Sequence, residues 1–198
     1  MDRAFAIAVS LLALLPVGCL DDGSSDGGSS AGVVKSGGTG SGAGDGTEGP
    51  SVTYAQNGHP LNWLTDNQAV IDLEDDVHDI VNNHRVSLGL GALIHVIEIR
   101  RAARGHSNHM RGASHDFFEH VNPEGDEPWD RMTKNSIPWT VAGENIAVGY
   151  TTPQSVFDGW MASPGHKENI ERSVFTRTGI GYQSGAPRGT YWTQLFAD

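Results

Sequence analysis

The chain has 198 residues, of which 24 are acidic and 13 basic, so its formal net charge is -11 at pH 7 with histidine neutral. Nucleic-acid binding depends on clustered Lys and Arg, so this balance argues against a nucleic-acid partner. With a single cysteine no internal disulfide can form, and any folded domain must be stabilised by its core.

The first 18 residues predict a signal peptide. A charged start precedes an apolar run over residues 4–15, which is shorter than the roughly 20 residues that a membrane-spanning helix needs. Cys19 follows at the position where a lipoprotein signal peptidase cuts, so we expect it to be lipidated and to anchor the exported chain to a membrane. The lipobox is imperfect because Pro16 stands where an aliphatic residue is usual. The alternative is an ordinary secretory signal and a secreted protein.

Residues 19–50 predict a disordered linker, because Gly, Ser and Asp dominate and such a segment buries too little apolar surface to offset its ordering entropy. A coil of about 30 residues spans on the order of 30 Å, which is enough to lift a domain off a membrane. Residues 51–67 show no clear period and form an uncertain lead-in. The folded domain is expected over residues 68–198, as a monomer.

Two amphipathic helices are predicted at the start of this domain, because apolar residues recur there at steps of three and four. The first stripe is Val70, Leu73, Val77, Ile80, Val81 and His84, and the second is Val96, Ile99, Ala103, His106 and Met110. His106 lies on the second stripe and is expected to be a hydrogen-bonded core residue. His109 and His115 fall off it and are expected at the surface.

Acidic side chains cluster in the first of these helices. They are Asp72, Glu74, Asp75, Asp76 and Asp79. A run of like charges on a helix is typical of a solvated face, and we expect that here rather than a cation site.

His120 is predicted to lie at the end of a helix or in the loop that leaves it, because turn-forming residues follow from Asn122. His115 and His120 do not form a helical zinc motif. Ligands five positions apart are rotated by about 140° on a helix, whereas a spacing of four brings both to one side.

Strands are expected towards the C-terminus. Short apolar runs over residues 178–182 and 190–196 flank a turn-forming segment rich in Gly and Pro, which predicts a hairpin. Before them, Thr152 and Pro153 predict the start of a helix through Trp160, a core residue. Helices early and strands late indicate an α+β domain.

Four successive motifs resemble those of the CAP superfamily, also called SCP or PR-1-like. They are Phe117-Phe118-Glu119-His120, Gly143-Glu144-Asn145-Ile146-Ala147, Trp160-Met161-Ala162-Ser163-Pro164-Gly165-His166 and Tyr191-Trp192-Thr193-Gln194. The resemblance covers about residues 77–196, and its first helix pair is similar to that of bacterial members. It implies a three-layer α-β-α sandwich with a central antiparallel sheet, preceded here by the disordered linker.

The resemblance also implies a cavity lined by His120 and Glu144. Eukaryotic members add a glutamate and a histidine at positions where this chain has Ser163 and Tyr191, which are therefore candidates only for lining the cavity. His166 belongs to a form similar to bacterial members and is expected to complete the site. Ser163 is expected to cap the helix that begins at Pro164, rather than to act as a nucleophile.

Two neutral imidazoles and a carboxylate suit zinc or another divalent metal with one position open, so His120, Glu144 and His166 are the candidate metal ligands. The same residues also allow an acid/base pair without metal, in which Glu144 and His120 are the catalytic candidates. A purely structural interpretation remains for the Gly-Glu-Asn motif, in which Gly143 and Asn145 set a tight turn and Glu144 accepts backbone hydrogen bonds.

The sequence thus favours an extracytoplasmic, lipid-anchored binding module whose cavity takes a metal ion, lipid, glycan or peptide. One alternative is a metal-dependent hydrolase that acts on proteins or cell-envelope polymers. The other is a structural envelope protein without a ligand. The sequence does not decide whether the protein is an enzyme.

Overall fold

The structure is a computed structural model that describes residues 33–36, 67–112, 118–185 and 187–198, with side chains from residue 67 onwards. The predicted signal peptide, the lipidation candidate Cys19, most of the linker, the lead-in and His115 lie outside the described residues. Within the described ranges, no helix combines the length and the apolar character needed to cross a bilayer.

Both predicted N-terminal helices are confirmed. Helix α1 runs over Gln68–Ser87, and it begins where expected because the side chain of Asn67 accepts a hydrogen bond from the Ala69 amide. Helix α2 runs over Ile97–Gly112. The predicted apolar stripes of both helices contribute buried side chains, including Val77 of α1 and Ile99 of α2.

Short helices and strands make up the rest of the domain. They are β1 Val33–Ser36, β2 Ile94–His95, α3 Pro128–Lys134, β3 Val141–Val148, α4 Pro153–Ala162, α5 Pro164–Glu171, β4 Arg177–Gly185 and β5 Gly189–Ala197. Thr152 caps α4 by accepting a hydrogen bond from the Ser155 amide, which confirms the predicted helix start. The predicted C-terminal hairpin is β4 with β5.

The five described strands form one sheet in the order β1-β3-β5-β4-β2. All neighbours are antiparallel except the two-residue β2, which pairs with β4 in parallel. Alternate residues of β5 face opposite sides: Trp192 and Phe196 pack with α1, α4 and α5, whereas Leu195 and Ala197 pack with α2 and α3. The expected three-layer α-β-α sandwich is therefore confirmed.

Strand β1 lies inside the segment that was expected to form a disordered linker. Its four residues pair with Val141–Glu144 at the edge of β3. Val33 and Val34 are the only adjacent pair of β-branched apolar residues in residues 19–50, and this pair favours an extended strand.

The acidic run of α1 is not uniformly solvated, and the expectation was wrong for Glu74. This side chain is fully buried, and Arg104 of α2 donates to both of its carboxylate oxygens at 2.7 and 2.6 Å. The Tyr182 amide donates a third hydrogen bond at 3.0 Å. Glu74 faces α2 and β4, so its burial results from tertiary packing, which the distribution of charges along the sequence does not predict.

Helix α2 packs directly on the backbone of β4, because β4 has glycine at both contact points. A Cβ atom on Gly179 would lie 2.1 Å from the Arg100 nitrogen, and one on Gly181 would lie 2.1 Å from the Arg104 nitrogen. Backbone atoms cannot move aside as a flexible side chain can. These two glycines therefore set how closely α2 approaches the sheet.

Gly181→Ala is expected to lower the free energy of unfolding by about 3 kcal/mol, because the added methyl group forces α2 away from β4. Urea unfolding followed by circular dichroism measures this loss. Gly91→Ala is the matched control, since a Cβ atom there meets no heavy atom within 4 Å. Equal losses in the two variants would contradict the close packing of α2.

Candidate functional site

Glu144 occupies the centre of the candidate site. It lies within β3 opposite Leu195 of β5 and therefore points to the face that packs against α2 and α3. The side chain is fully buried. The structural interpretation of the Gly-Glu-Asn motif as a tight turn was wrong, because all three residues continue the strand and the Glu144 carboxylate binds side chains instead of backbone amides.

Two side chains hold the carboxylate of Glu144. His120 Nδ1 lies 2.9 Å from Oε1, and Arg131 donates from Nη2 to Oε2 at 2.5 Å. Burial by itself raises the pKa of Glu144, but the positive charge of Arg131 and the histidines around it outweigh burial and lower that pKa to about 2. Glu144 is therefore ionised at neutral pH.

Arg131, on the short helix α3, was not predicted from the sequence. It is fully buried and also donates to the backbone oxygens of His120 at 2.7 Å and Asp126 at 2.8 Å. A single guanidinium thus ties the loop that carries His120 to the strand that carries Glu144. Pro128 at the start of α3 predicts a helix, but no local pattern shows which buried carboxylate an arginine will meet.

The contact with Glu144 fixes the tautomer of His120. An ionised carboxylate only accepts hydrogen bonds, so Nδ1 of His120 carries the proton, and in the neutral ring Nε2 has a free lone pair. His120 lies in the loop between α2 and α3, as predicted, and 11% of its side chain is exposed. The ring therefore reaches from the buried carboxylate to the surface.

His106 and His109 line the buried side of α2. His106 is fully buried, and Nε2 donates to the Glu119 carbonyl at 2.9 Å, which confirms the expected core role. Burial, reinforced by the charge of Arg131, lowers its pKa to about 3. The expectation for His109 was wrong: only 7% of the residue is exposed, and its ring lies against that of His106 and 4.0 Å from the carboxylate of Glu124.

His166 is buried on α5, with 1% of the residue exposed, and neither ring nitrogen has a hydrogen-bond partner among the residues that the structure describes. Burial and, to a smaller extent, positive charge on His120 together lower the pKa of His166 to about 3. The ring is therefore neutral at physiological pH and lies within electrostatic reach of His120. A buried polar side chain without a partner is costly, and such groups concentrate at functional sites.

Two asparagines place α5 beside Glu144. Asn145 donates to the His166 carbonyl at 3.1 Å, while Asn169 donates to the Glu144 carbonyl at 3.2 Å and to the side-chain oxygen of Asn145 at 2.9 Å. All of these groups are buried. The Gly-Glu-Asn motif and the Gly-His-Lys-Glu-Asn segment thus bond to each other, which explains why asparagine occurs in each.

Ser163 differs in one detail from its expected capping role, whereas the cavity-lining role of Tyr191 remains a prediction. Ser163 stands at the N-cap of α5 and precedes Pro164 as predicted, but its hydroxyl makes no capping hydrogen bond. Tyr191 pairs with Val148, four residues along β3 from Glu144, a distance of about 13 Å at the usual rise of a strand. Its hydroxyl accepts a hydrogen bond from the Arg188 amide.

The three-residue metal site remains a prediction, and the surroundings of Glu144 make this residue the least accessible of the three predicted ligands. Each carboxylate oxygen already accepts a hydrogen bond, one from His120 and one from Arg131, and the positive charge of Arg131 opposes the approach of a cation to Glu144. Across the part of the chain that the structure describes, no group of three or more His, Cys, Asp or Glu side chains is arranged to hold a metal. Of the predicted ligand set, the imidazoles of His120 and His166 retain available nitrogen lone pairs.

Known proteins support the family expected from the motifs. Residues 78–196, more than half of the chain, match the CAP family, described as the cysteine-rich secretory protein family. Among curated proteins, YkwD of Bacillus subtilis is 37% identical over 123 residues, which are 62% of this chain and 46% of that protein. The membrane protein YlbC of the same organism is 31% identical over 123 residues, 62% of this chain and 34% of YlbC.

Solved structures agree in fold. An extracellular protein containing an SCP domain from Bacillus anthracis superimposes with a TM-score of 0.60 at 27% identity, over 70% of this chain and 44% of that one. An outer surface protein from Borrelia burgdorferi gives a TM-score of 0.59 at 18% identity, over 67% of this chain and 95% of that one. The second likeness shows the fold alone.

The chain therefore belongs to the CAP family. It spans less than half the length of each Bacillus subtilis relative, so the shared part is the domain and not the whole of those proteins. The domain includes every residue of the candidate site, from His106 to Tyr191.

Arg131→Met is expected to lower the free energy of unfolding at pH 7 by about 3 to 5 kcal/mol, because it leaves the buried Glu144 carboxylate without its counter-ion. Chemical denaturation measures the loss. Arg101→Met provides the matched control, since Arg101 is exposed on α2. A loss in Arg131→Met no greater than in Arg101→Met would show that Arg131 does not stabilise this carboxylate.

Proposed function

We propose that this chain is an extracytoplasmic binding module of the CAP family, held to a membrane through Cys19, with a ligand site at His120 and His166. One observation carries the ligand site: His166 is buried, yet within the described ranges of the chain both of its ring nitrogens lack a hydrogen-bond partner. A ligand that bonds to this ring would recover part of the cost of burying it.

His120 is the second ligand-binding residue in this proposal. Glu144 holds its Nδ1, so the other ring nitrogen, Nε2, presents a lone pair from a partly exposed ring. A carboxylate behind an imidazole is the usual outer-shell arrangement at metal-binding histidines, where it orients the ring and raises its basicity. Glu144 thus acts on the ligand through His120 and does not bind it directly.

The ligand is of a kind that neutral imidazoles recognise. His166 stays neutral at physiological pH, and the charge of Glu144 is balanced by Arg131. Such a site suits a divalent ion that prefers nitrogen ligands, or a neutral polar group of a lipid, glycan or peptide. Two protein ligands leave a divalent ion with several open positions, so zinc binding is expected to be weaker than at sites with three.

The hydrogen bonds of the Glu144 carboxylate favour a binding function over metal-dependent hydrolysis. A metal-dependent hydrolase of the predicted kind needs a carboxylate that binds the metal or activates water, and the Glu144 carboxylate instead accepts hydrogen bonds from His120 and Arg131. His120 Nε2 is available as a base, so activity in a hydrolase screen that is lost in His120→Gln would favour the enzyme. Ser163, the candidate nucleophile in the sequence, lies at the N-cap of α5, a position at which serine is common for structural reasons.

Zinc titration by calorimetry at pH 7 tests the site in the full chain. We expect one zinc ion per chain, loss of binding in His120→Gln and in His166→Gln, and an affinity about 10 to 100 times lower in Glu144→Gln, the effect typical of an outer-shell partner. His84→Gln is the matched control, because His84 bonds to Glu171 away from the site.

Two results would contradict this arrangement. Complete loss in Glu144→Gln, with the variant still folded, would make Glu144 a direct ligand. No zinc binding by the unmutated chain would remove the metal and leave lipids, glycans and peptides as ligand classes to be screened.

Export and anchoring rest on the N-terminal sequence. The predicted signal peptide ends just before Cys19, and two relatives are described as an extracellular protein and a membrane protein. We expect labelled palmitate to be incorporated by cells that express the chain and to be lost in Cys19→Ser. A protein without label, released into the medium, would contradict anchoring and support secretion.

A further inference from the structure

The edge of β3 beside the candidate site is covered by a strand from the N-terminal segment. Strand β1 pairs with β3 in an antiparallel register that places Val33 opposite Glu144 and Ser36 opposite Val141. Helix α5, which carries His166, also contacts β1. The segment that precedes the domain therefore touches both elements that hold the site.

Side chains satisfy part of this edge and leave a gap that β1 fills. Along β3, alternate residues direct their backbone groups away from β5. The carbonyl of Ile146 accepts from the Trp160 indole at 3.3 Å, and that of Glu144 accepts from the Asn169 amide. Ala142 is the next residue in this alternation, and it pairs with Lys35 of β1. Unpaired backbone groups at a buried edge are costly, so this position favours a strand.

We propose that the β3 edge over Val141–Glu144 is a docking surface for the linker of the same chain, and that docking of Val33–Ser36 shortens the reach of the membrane tether. The shortening rests on the proposed anchoring at Cys19; the docking does not. Undocked, 48 positions separate Cys19 from Asn67, and a flexible coil of that length would have a root-mean-square span of about 38 Å. Docked, 14 positions separate Cys19 from Val33, a span of about 21 Å.

The occupant is the linker of the same copy. Residues 37–66 join β1 to the domain, and a tether of this kind gives an effective local concentration on the order of millimolar. A strand of only four residues is too short to hold a second chain without that advantage. Domain exchange between neighbouring copies would use the same contact and is distinguished by the test.

Disulfide trapping tests the docking. The full chain carries Cys19→Ser, Ser36→Cys and Val141→Cys, since directly opposed residues of antiparallel strands have Cα separations of about 4.5 to 5.5 Å, within the range of a disulfide. Mild oxidation is expected to give an intramolecular disulfide, seen by mass spectrometry and non-reducing electrophoresis. In the matched control, Ser173→Cys replaces Val141→Cys at an exposed position of another loop.

Equal trapping in the two pairs would overturn the proposal, because an undocked linker reaches both positions. Disulfides between tagged and untagged copies would also overturn it in favour of exchange between chains.

Hydrogen exchange provides a second measurement that needs no new cysteine. Replacing both Val33 and Val34 by proline removes the amides that a strand requires. Exchange in a peptide covering residues 141–144 is expected to become on the order of tenfold faster, while the β4–β5 pairing keeps its protection. Unchanged exchange over residues 141–144 would overturn the proposal. Neither measurement includes a ligand, so a failed zinc titration leaves their interpretation intact.

Discussion

The ion pair between Glu144 and Arg131 is the interaction on which the rest of the site depends. A carboxylate that is fully buried would normally take up a proton, and here a buried guanidinium at 2.5 Å keeps it ionised. Because Glu144 is ionised, it can only accept a hydrogen bond from His120, and this fixes which nitrogen of that ring carries the proton. The same guanidinium binds the carbonyl of His120, so one arginine sets both the charge of the carboxylate and the position of the loop.

The Gly-Glu-Asn motif connects the two helical layers because successive residues of a strand point to opposite faces. Glu144 faces α2 and α3 and meets His120 and Arg131 there, whereas Asn145 bonds to α5 and holds the carbonyl of His166. A turn could not serve both layers, since it would not direct neighbouring side chains to opposite sides of a sheet. The strand conformation of the motif is thus what brings residues from distant parts of the chain to one site.

The sequence predicted those features that local periodicity records. Steps of three and four located α1 and α2, and two apolar runs around a turn located the hairpin of β4 and β5. Family resemblance supplied the layer order and the pairing of His120 with Glu144, which no spacing along the chain could give. A helix, a hairpin and a family motif each produce a recognisable pattern within a short stretch of sequence, and for that reason they could be predicted.

Ion pairs and packing contacts between residues far apart in the chain produce no such local pattern. Glu74 belongs to an acidic run that is otherwise typical of a solvated face, and only the packing of α1 on α2 shows that it meets Arg104. Arg131 is one basic residue among several until the fold places it at Glu144. His109 was expected off the apolar stripe of α2, yet it is buried three residues after His106, because the buried face of this helix is wider than the stripe of apolar residues.

The balance of charges at the site limits how the protein can distinguish between ligands. The chain as a whole is strongly acidic, but at the site Arg131 cancels Glu144, and His106 and His166 are neutral because burial opposes their protonation. Such a site exerts little long-range attraction on an ion of either sign, so binding depends on short-range bonds to ring nitrogens. Ligands are then distinguished by their geometry. A ligand must reach His120 from the surface, and it must also bond to a ring nitrogen of His166, which is already shielded from water. The free-energy cost of removing water from His166 is borne by folding and not by binding, so even a small ligand that bonds to this ring binds more tightly.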